Sequence, residues 1–324
     1  MPGFILLTMM GCRAFVGCAG DLPADPPDDN TDPIDTGPVE TDSGDTGPVD
    51  TGPPPLCEWP EEEPNSTAGQ AQELPMETWA CGTLETQGDF DIFRFSVEQP
   101  GWVKVWVRGQ DLGTSSNLQL TLDDAAYDYT TLVTSSPGSL DPILVFPVYE
   151  PITLYATIAD QFYGYGEEYI WQLIASEAKA PVLWSTSEVE PNDGIQDGLP
   201  IQSTDRIFGI IDAGSDADWF TFEVPQGMES QISAHIEAWN HGSPINARII
   251  IYDSSESLVA SSNTGENIYD LDPQLSYSVS AEDATENTTW GIKVVPRSGA
   301  GGGLAYWYVL ELTVETDGIG DTGL

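Results

Sequence analysis

Asp89-Phe90-Asp91-Ile92-Phe93-Arg94-Phe95-Ser96-Val97 decides the fold, because its apolar residues return with the two-residue period of a half-buried β-strand. Phe93, Phe95 and Val97 share one face. Asp91 has their parity, so the period aims a carboxylate inward at the strand's entrance. The pattern returns as Asp216-Ala217-Asp218-Trp219-Phe220-Thr221-Phe222-Glu223-Val224, and Asp91 and Asp218 stand 127 positions apart. Glu61-Glu62-Glu63-Pro64-Asn65 recurs at the same offset as Glu188-Val189-Glu190-Pro191-Asn192, and Gly82 recurs as Gly209. An unbroken register over this length predicts duplication of a whole domain.

The rest of each copy also reads as strand. Trp102-Val103-Lys104-Val105-Trp106-Val107-Arg108 alternates with three valines on one face. Further strand-like runs are 117–122, 143–148, 152–158 and 168–175 in the first copy. The second offers 206–211, 230–236, 247–252, 288–295 and 305–314. Short strands separated by Gly, Pro, Asn and Asp indicate a sandwich or barrel, and no run carries a capped 3.6-residue apolar period. The expected fold class is all-β, with two tandem jelly-roll-like β-sandwiches over 57–178 and 182–316 joined by Lys179-Ala180-Pro181, and a tail over 317–324.

Upstream the character changes. Residues 21–56 are dominated by Asp, Pro, Thr and Gly and hold no aromatic, so they cannot bury enough surface to offset ordering entropy; a disordered acidic tether is expected. Its Asp-Thr-Gly triplets, at Asp35, Asp45 and Asp50, lack the hydrophobic flanks of an aspartic-protease site, and Asp321 sits near the other terminus. Residues 1–20 hold a short apolar run, 4–10, followed by Gly11-Cys12 and Gly17-Cys18. A small residue before Cys resembles a bacterial lipoprotein signal, with Cys12 or Cys18 as the lipidated residue. The alternative is a plain cleavable signal, since no Lys or Arg precedes the run and Arg13 interrupts it. Either way a secreted protein is expected, and the lipid reading makes it an outer-membrane or cell-surface lipoprotein of a bacterium.

The 53 acidic residues against 9 basic ones give a formal net charge of −44. Nucleic acid is excluded as a partner, because such binding needs basic residues to neutralise phosphates. A membrane is expected only through a lipid anchor.

The order Glu-x-Glu-Pro-Asn, a Gly-containing strand, then Asp-x-Asp-x-Phe-x-Phe-x-Val resembles the bacterial pre-peptidase C-terminal domain, over about the first third of each copy. The resemblance implies a jelly-roll-like sandwich found beside secreted peptidases and in extracellular proteins with no enzyme attached. No peptidase-like segment precedes the two copies here, which removes the main reason to infer proteolysis.

Glu61, Glu63 and Asn65 lie two apart, so an extended segment projects all three to one side. With Asp89 and Asp91 they make four carboxylates and an amide oxygen, the hard donors that Ca²⁺ prefers. The related collagen-binding domains of clostridial collagenases hold calcium with a similar set. The resemblance therefore implies a structural Ca²⁺ at Glu61, Glu63, Asn65, Asp89 and Asp91, and another at Glu188, Glu190, Asn192, Asp216 and Asp218. The alternative is that Pro-Asn and Asp-x-Asp serve only as turn formers.

Cys57 and Cys81 correspond, by the same offset, to Trp184 and Phe208. The simplest account is that the two positions touch, bridged by a disulfide in one copy and packed as an aromatic pair in the other. Two aromatic features are candidate ligand contacts: Trp102 and Trp106, opposite the valines, and Tyr163 and Tyr165 in the loop Phe162-Tyr163-Gly164-Tyr165-Gly166. The competing readings are a covered sheet face and a loop folded over the core.

No catalytic residues are expected. Only His235 and His241 are available, no His-Glu-x-x-His or Gly-x-Ser-x-Gly occurs, and the Gly run 299–303 lacks the Lys-Ser/Thr of a phosphate loop. The expected function is a non-catalytic extracellular accessory or adhesion module, with an extracellular polysaccharide, matrix or envelope protein as partner. The alternatives are a structural envelope spacer without a specific ligand and an accessory to a secreted peptidase encoded separately.

Overall fold

The computed structural model describes residues 57–124, 130–265, 270–284, 289–297 and 301–316. The expected leader with Cys12 and Cys18, the tether and the tail lie outside the described residues.

Among the described residues the first copy contributes ten strands in chain order: β1 (Trp59–Pro60), β2 (Gln72–Glu73), β3 (Ala80–Thr83), β4 (Asp91–Val97), β5 (Gly101–Arg108), β6 (Leu118–Asp124), β7 (Thr130–Val133), β8 (Ile143–Val148), β9 (Ile152–Asp160) and β10 (Ile170–Ala178). They form two five-stranded sheets, ordered β1-β3-β10-β5-β8 and β2-β4-β9-β6-β7. The second copy supplies β11 (Thr186–Ser187), β12 (Leu199–Pro200), β13 (Arg206–Ile210), β14 (Asp218–Glu223), β15 (Ser230–Glu237), β16 (Ala247–Tyr252), β17 (Leu258–Ser262), β18 (Gln274–Val279), β19 (Thr289–Pro296) and β20 (Trp307–Thr316). Its sheets, β11-β13-β20-β15-β18 and β12-β14-β19-β16-β17, repeat the first order strand for strand. The two-residue strands β1, β2, β11 and β12 pair in parallel, and the other pairings are antiparallel. Among the described residues the helical elements are two 3₁₀ turns, Gln110–Leu112 and Trp239–His241, and no helix is long and apolar enough to cross a membrane.

The two-residue period sets what lies between the sheets. On β4, Asp91, Phe93, Phe95 and Val97 are buried while Arg94 is exposed. On β5 the three valines are buried. Each such side chain contributes about 1.5–3 kcal/mol by leaving water, so the alternation alone commits these strands to one face. On the second copy Asp218, Phe220 and Phe222 repeat the arrangement.

Both sandwiches lie in one compact unit, and they touch. Trp102 of the first meets Trp307, Phe208 and Trp184 of the second, with ring centroids 5.1, 6.0 and 6.1 Å apart. The Trp307 Nε1–H donates to the Val145 carbonyl, and the Val145 N–H donates to the Gly242 carbonyl at 3.0 Å. Gly242 has φ +94°, and a Cβ there would press on Val145, so this crossing needs glycine.

Candidate metal centres

Each copy gathers carboxylates where its N-terminal segment crosses the sandwich entrance. In the first, Glu61, Glu63 and Asp91 each place an oxygen within 4.8 Å of the others; in the second, Glu188, Glu190 and Asp218 do so. The backbone explains how. The Glu61 N–H donates to the Cys81 carbonyl, and the Glu61 carboxylate accepts from the Thr83 N–H at 2.7 Å, so the residue is clamped across β3. Glu188 is clamped across β13 in the same way, by the Phe208 carbonyl and the Ile210 N–H. Between those anchor points lie Gly82 and Gly209. A Cβ at Gly82 would collide with Glu61 and Trp171, and one at Gly209 with Tyr308 and Glu188. Glycine at this point is what lets a carboxylate and a ring lie over the strand.

Asn65 and Asn192 are fully buried. Their main chains continue the edge of the sheet: the Ile92 N–H donates to the Asn65 carbonyl and the Trp219 N–H to the Asn192 carbonyl. The Asn65 and Asn192 N–H groups donate in turn to Glu63 and Glu190, both at 2.9 Å. Asp91 receives the Trp171 Nε1–H at 2.7 Å, and Asp218 faces the Tyr308 hydroxyl, which also lies 3.2 Å from Glu188. Trp171 and Tyr308 occupy the same place, each opposite the conserved-in-register glycine of its copy.

Burial with like charges dominates the electrostatics. Asp91 is pushed up to about 9, first by burial and then by the charges of Glu61 and Asp89. Asp218 rises to about 10 by burial and the charge of Glu188. Glu61 and Glu188 rise to about 7, by burial above all, against the pull of the Thr83 and Ile210 N–H groups. Near pH 7 the ion-free clusters therefore keep protons.

Several buried oxygens receive no N–H or hydroxyl donor: Glu61 Oε2, Asn65 Oδ1 and Asp91 Oδ1 in one copy, Asn192 Oδ1 and Asp218 Oδ1 in the other. In the ion-free state a carboxyl proton shared between Asp91 and Glu61, and between Asp218 and Glu188, serves the carboxylate oxygens, which leaves the two amide oxygens unserved. Unpaired buried acceptors are costly, and a hard cation is what carboxylate and amide oxygens converging at this spacing satisfy. The donor set fits Ca²⁺. Asp89 and Asp216 stand apart from the three-carboxylate groups. Asp89 accepts the Glu85 and Thr86 N–H groups, and Asp216 those of Asp212 and Ala217. Their side chains close turns beside the cluster, as the turn-former reading has it, and their charge still reaches Asp91 and Asp218.

Cys57 and Cys81 form a disulfide with Cα atoms 5.6 Å apart, and Trp184 and Phe208 pack with centroids 4.8 Å apart. The substitution of a bridge by an aromatic pair is thus present. The reading of Trp102 and Trp106 as an open ligand face needs correction. Trp102 is taken up between the sandwiches, and Trp106 packs against Trp79 at 5.5 Å under Lys104 Nζ at 4.4 Å and Arg108 at 5.8 Å. Sequence parity finds the face but not what covers it.

The aromatic loop differs. Phe162, Tyr163 and Tyr165 are 74, 62 and 51% exposed. The loop is fastened from beneath by buried Asp160, whose carboxylate accepts from the Phe162, Gly164 and Asn117 N–H groups and the Ser116 hydroxyl. Burial alone would raise this carboxyl, but those four donors hold it below its ordinary range. Tyr163 has φ +60°, a left-handed conformation that a tyrosine adopts only where the surroundings impose it.

No protein-family model matches the chain, and no curated protein matches it. Among solved structures, the chain is similar to the pre-peptidase C-terminal domain of a Bacillus anthracis collagenase: 14% identity, 36% of this chain and 94% of that one, TM-score 0.27. It is also similar to the tandem CBM22 domains of Paenibacillus barcinonensis Xyn10C, at 9% identity over 72% and 85% of the two chains with TM-score 0.22. A third is the tandem CBM51 modules of a Streptococcus pneumoniae family 98 glycoside hydrolase, at 8% over 71% and 81% with TM-score 0.21.

Proposed function

We propose that the chain is a non-catalytic extracellular accessory module, built of two pre-peptidase C-terminal-like sandwiches that each hold one structural Ca²⁺. The observation that carries this reading is the convergence, at the same place in both copies, of three carboxylates and a fully buried asparagine whose amide oxygen has no donor. A bound calcium would supply the positive charge that lets all three carboxylates of a copy ionise together. Glu61, Glu63, Asn65 and Asp91 would hold one ion, and Glu188, Glu190, Asn192 and Asp218 the other. Each cluster runs from a fully buried aspartate, Asp91 or Asp218, to an exposed glutamate, Glu63 or Glu190, and in this reading its ion acts on the fold.

Contact with the partner, an extracellular polysaccharide, matrix or envelope protein, falls to the loop of Phe162, Tyr163 and Tyr165. Rings this exposed add little to folding, while a loop held from below by Asp160 loses little freedom on binding. The anchor in this reading is a lipid on Cys12 or Cys18. An array of extracellular polysaccharides and matrix and envelope proteins, probed in calcium, tests it. Specific capture by the wild-type chain, lost in Tyr163→Ala/Tyr165→Ala, is expected; an array without a hit would favour a spacer with no ligand.

A further inference from the structure

The second cluster shares its supports with the contact between the sandwiches, and the first does not. Neighbouring residues on a strand project to opposite faces. On β20, Tyr308 turns to Asp218 and Glu188 while Trp307 turns to Trp102. On β13, Gly209 makes room for Glu188 while Phe208 packs on Trp184 and Trp102. Trp184 itself begins the short stretch that ends at Glu188. That stretch is tied to β13 through Ser185 N–H to Arg206 carbonyl at 2.8 Å and Glu188 N–H to Phe208 carbonyl at 2.9 Å. All three rings that the second copy offers to Trp102 therefore ride on elements that also carry the cluster.

Among the described residues the first copy shows no such linkage. Cys57 and Cys81 tie the equivalent stretch to β3 covalently, whatever the cluster holds. Ile170, next to Trp171, stands where Trp307 stands next to Tyr308.

Resting on the calcium reading above, we propose that a divalent cation in the Glu188–Glu190–Asp218 cluster governs how firmly the two sandwiches dock, while the cation in the Glu61–Glu63–Asp91 cluster does not. With the ion bound, attraction to three carboxylates draws the Trp184–Asn192 stretch onto β13 and β20 and sets the rings that receive Trp102. Without it, that attraction is lost. The stretch then keeps its main-chain bonds, the bonds between the Ser185 hydroxyl and the Arg206 main chain, the Ile210 N–H on Glu188 and the packing of Trp184 on Phe208. Just before it, the hydrogen bond from Arg206 Nε to the Leu183 carbonyl, at 2.8 Å, also remains, without the pull of a cation.

The test uses the full chain titrated with CaCl₂, with ion stoichiometry read by calorimetry. Docking is read by NMR-detected hydrogen exchange of the Val145 amide, which donates across the interface to Gly242. Calcium should slow Val145 exchange at least tenfold in the wild type and in Asp91→Asn. In Asp218→Asn one binding event should vanish and Val145 exchange should stay fast in calcium. Glu188→Gln repeats the measurement should Asp218→Asn fail to fold. In Trp102→Ala both ions should bind while Val145 exchanges quickly with or without them. Two bound ions with Val145 indifferent to calcium, or equal responses in Asp91→Asn and Asp218→Asn, would overturn the coupling and leave the calcium reading standing. Absence of any bound ion would overturn both.

Discussion

The two sandwiches share a topology strand for strand, yet secure their N-terminal stretches by different chemistry. The first uses the Cys57–Cys81 bridge, with Trp171 as the donor to its buried aspartate. The second uses Trp184 packed at a tilt on Phe208, with Tyr308 in the donor's place. What stays the same is the glycine beneath, the buried asparagine and the three carboxylates. The comparison separates what the entrance of this fold requires from what merely holds it shut. The aromatic solution has a consequence that the disulfide lacks: it presents a ring surface to which the neighbouring sandwich can dock.

The two fasteners should be of similar strength, and the largest effects test that. Phe208→Ala removes a nearly fully buried ring and should cost about 3–5 kcal/mol. Replacing both Cys57 and Cys81 by serine opens a bridge spanning 24 positions and should cost about 3–4 kcal/mol in the first sandwich by the chain-entropy model. Denaturant unfolding followed separately for each sandwich measures both. A negligible cost for the cysteine pair would mean that the first copy relies on its cluster rather than its bridge.

Calcium at a hundredfold over its dissociation constant should add about 2.7 kcal/mol per occupied site. The sign of its pH dependence follows from the raised carboxyls. A carboxyl whose folded pKa lies above its unfolded value stabilises the fold fully below the unfolded pKa, and that contribution is lost as pH rises through the folded one. The ion-free chain should therefore lose thermal stability between about pH 4 and pH 9–10, the range set by Asp91 and Asp218. Calcium should restore more of it the higher the pH, because the cation displaces protons. Melting curves across that range with EDTA or calcium check this; parallel curves would contradict it.

Smaller effects probe the donors and the loop. Tyr308→Phe removes the hydroxyl facing Asp218 and should cost about 1 kcal/mol in the ion-free chain, where that carboxyl is protonated. Phe162→Ala, Tyr163→Ala and Tyr165→Ala should each change stability by no more than about 0.5 kcal/mol, as befits exposed side chains, while weakening partner capture. A large stability loss at these positions would return the loop to the fold.

Much of this was legible in the sequence. Strict alternation placed Asp91 inward with Phe93 and Phe95, and the shared offset paired Cys57 and Cys81 with Trp184 and Phe208. The later strands were harder to align. Trp171 and Tyr308, which face Gly82 and Gly209, are 137 positions apart where the glycines are 127 apart, so insertions in the second copy blur the register. Edge strands β7 and β17 escaped for different reasons. On β7 the buried face includes Thr131 and the exposed face Leu132, so polarity does not follow burial. On β17 half-exposed Val, Ala and Ser give the period little contrast. The two-residue strands are too short to show a period at all. The role of Trp102 was hidden for another reason: its neighbours belong to the other sandwich, and strand parity carries no information about what docks on a face.

The most direct test of the account is calorimetric titration of the full chain with CaCl₂ at pH 7.5 in buffers of different ionisation enthalpy. Two bound ions per chain are predicted, with protons released on binding, one ion in Asp91→Asn and none in Asp91→Asn/Asp218→Asn. No binding, or binding that survives in the double variant, would contradict it.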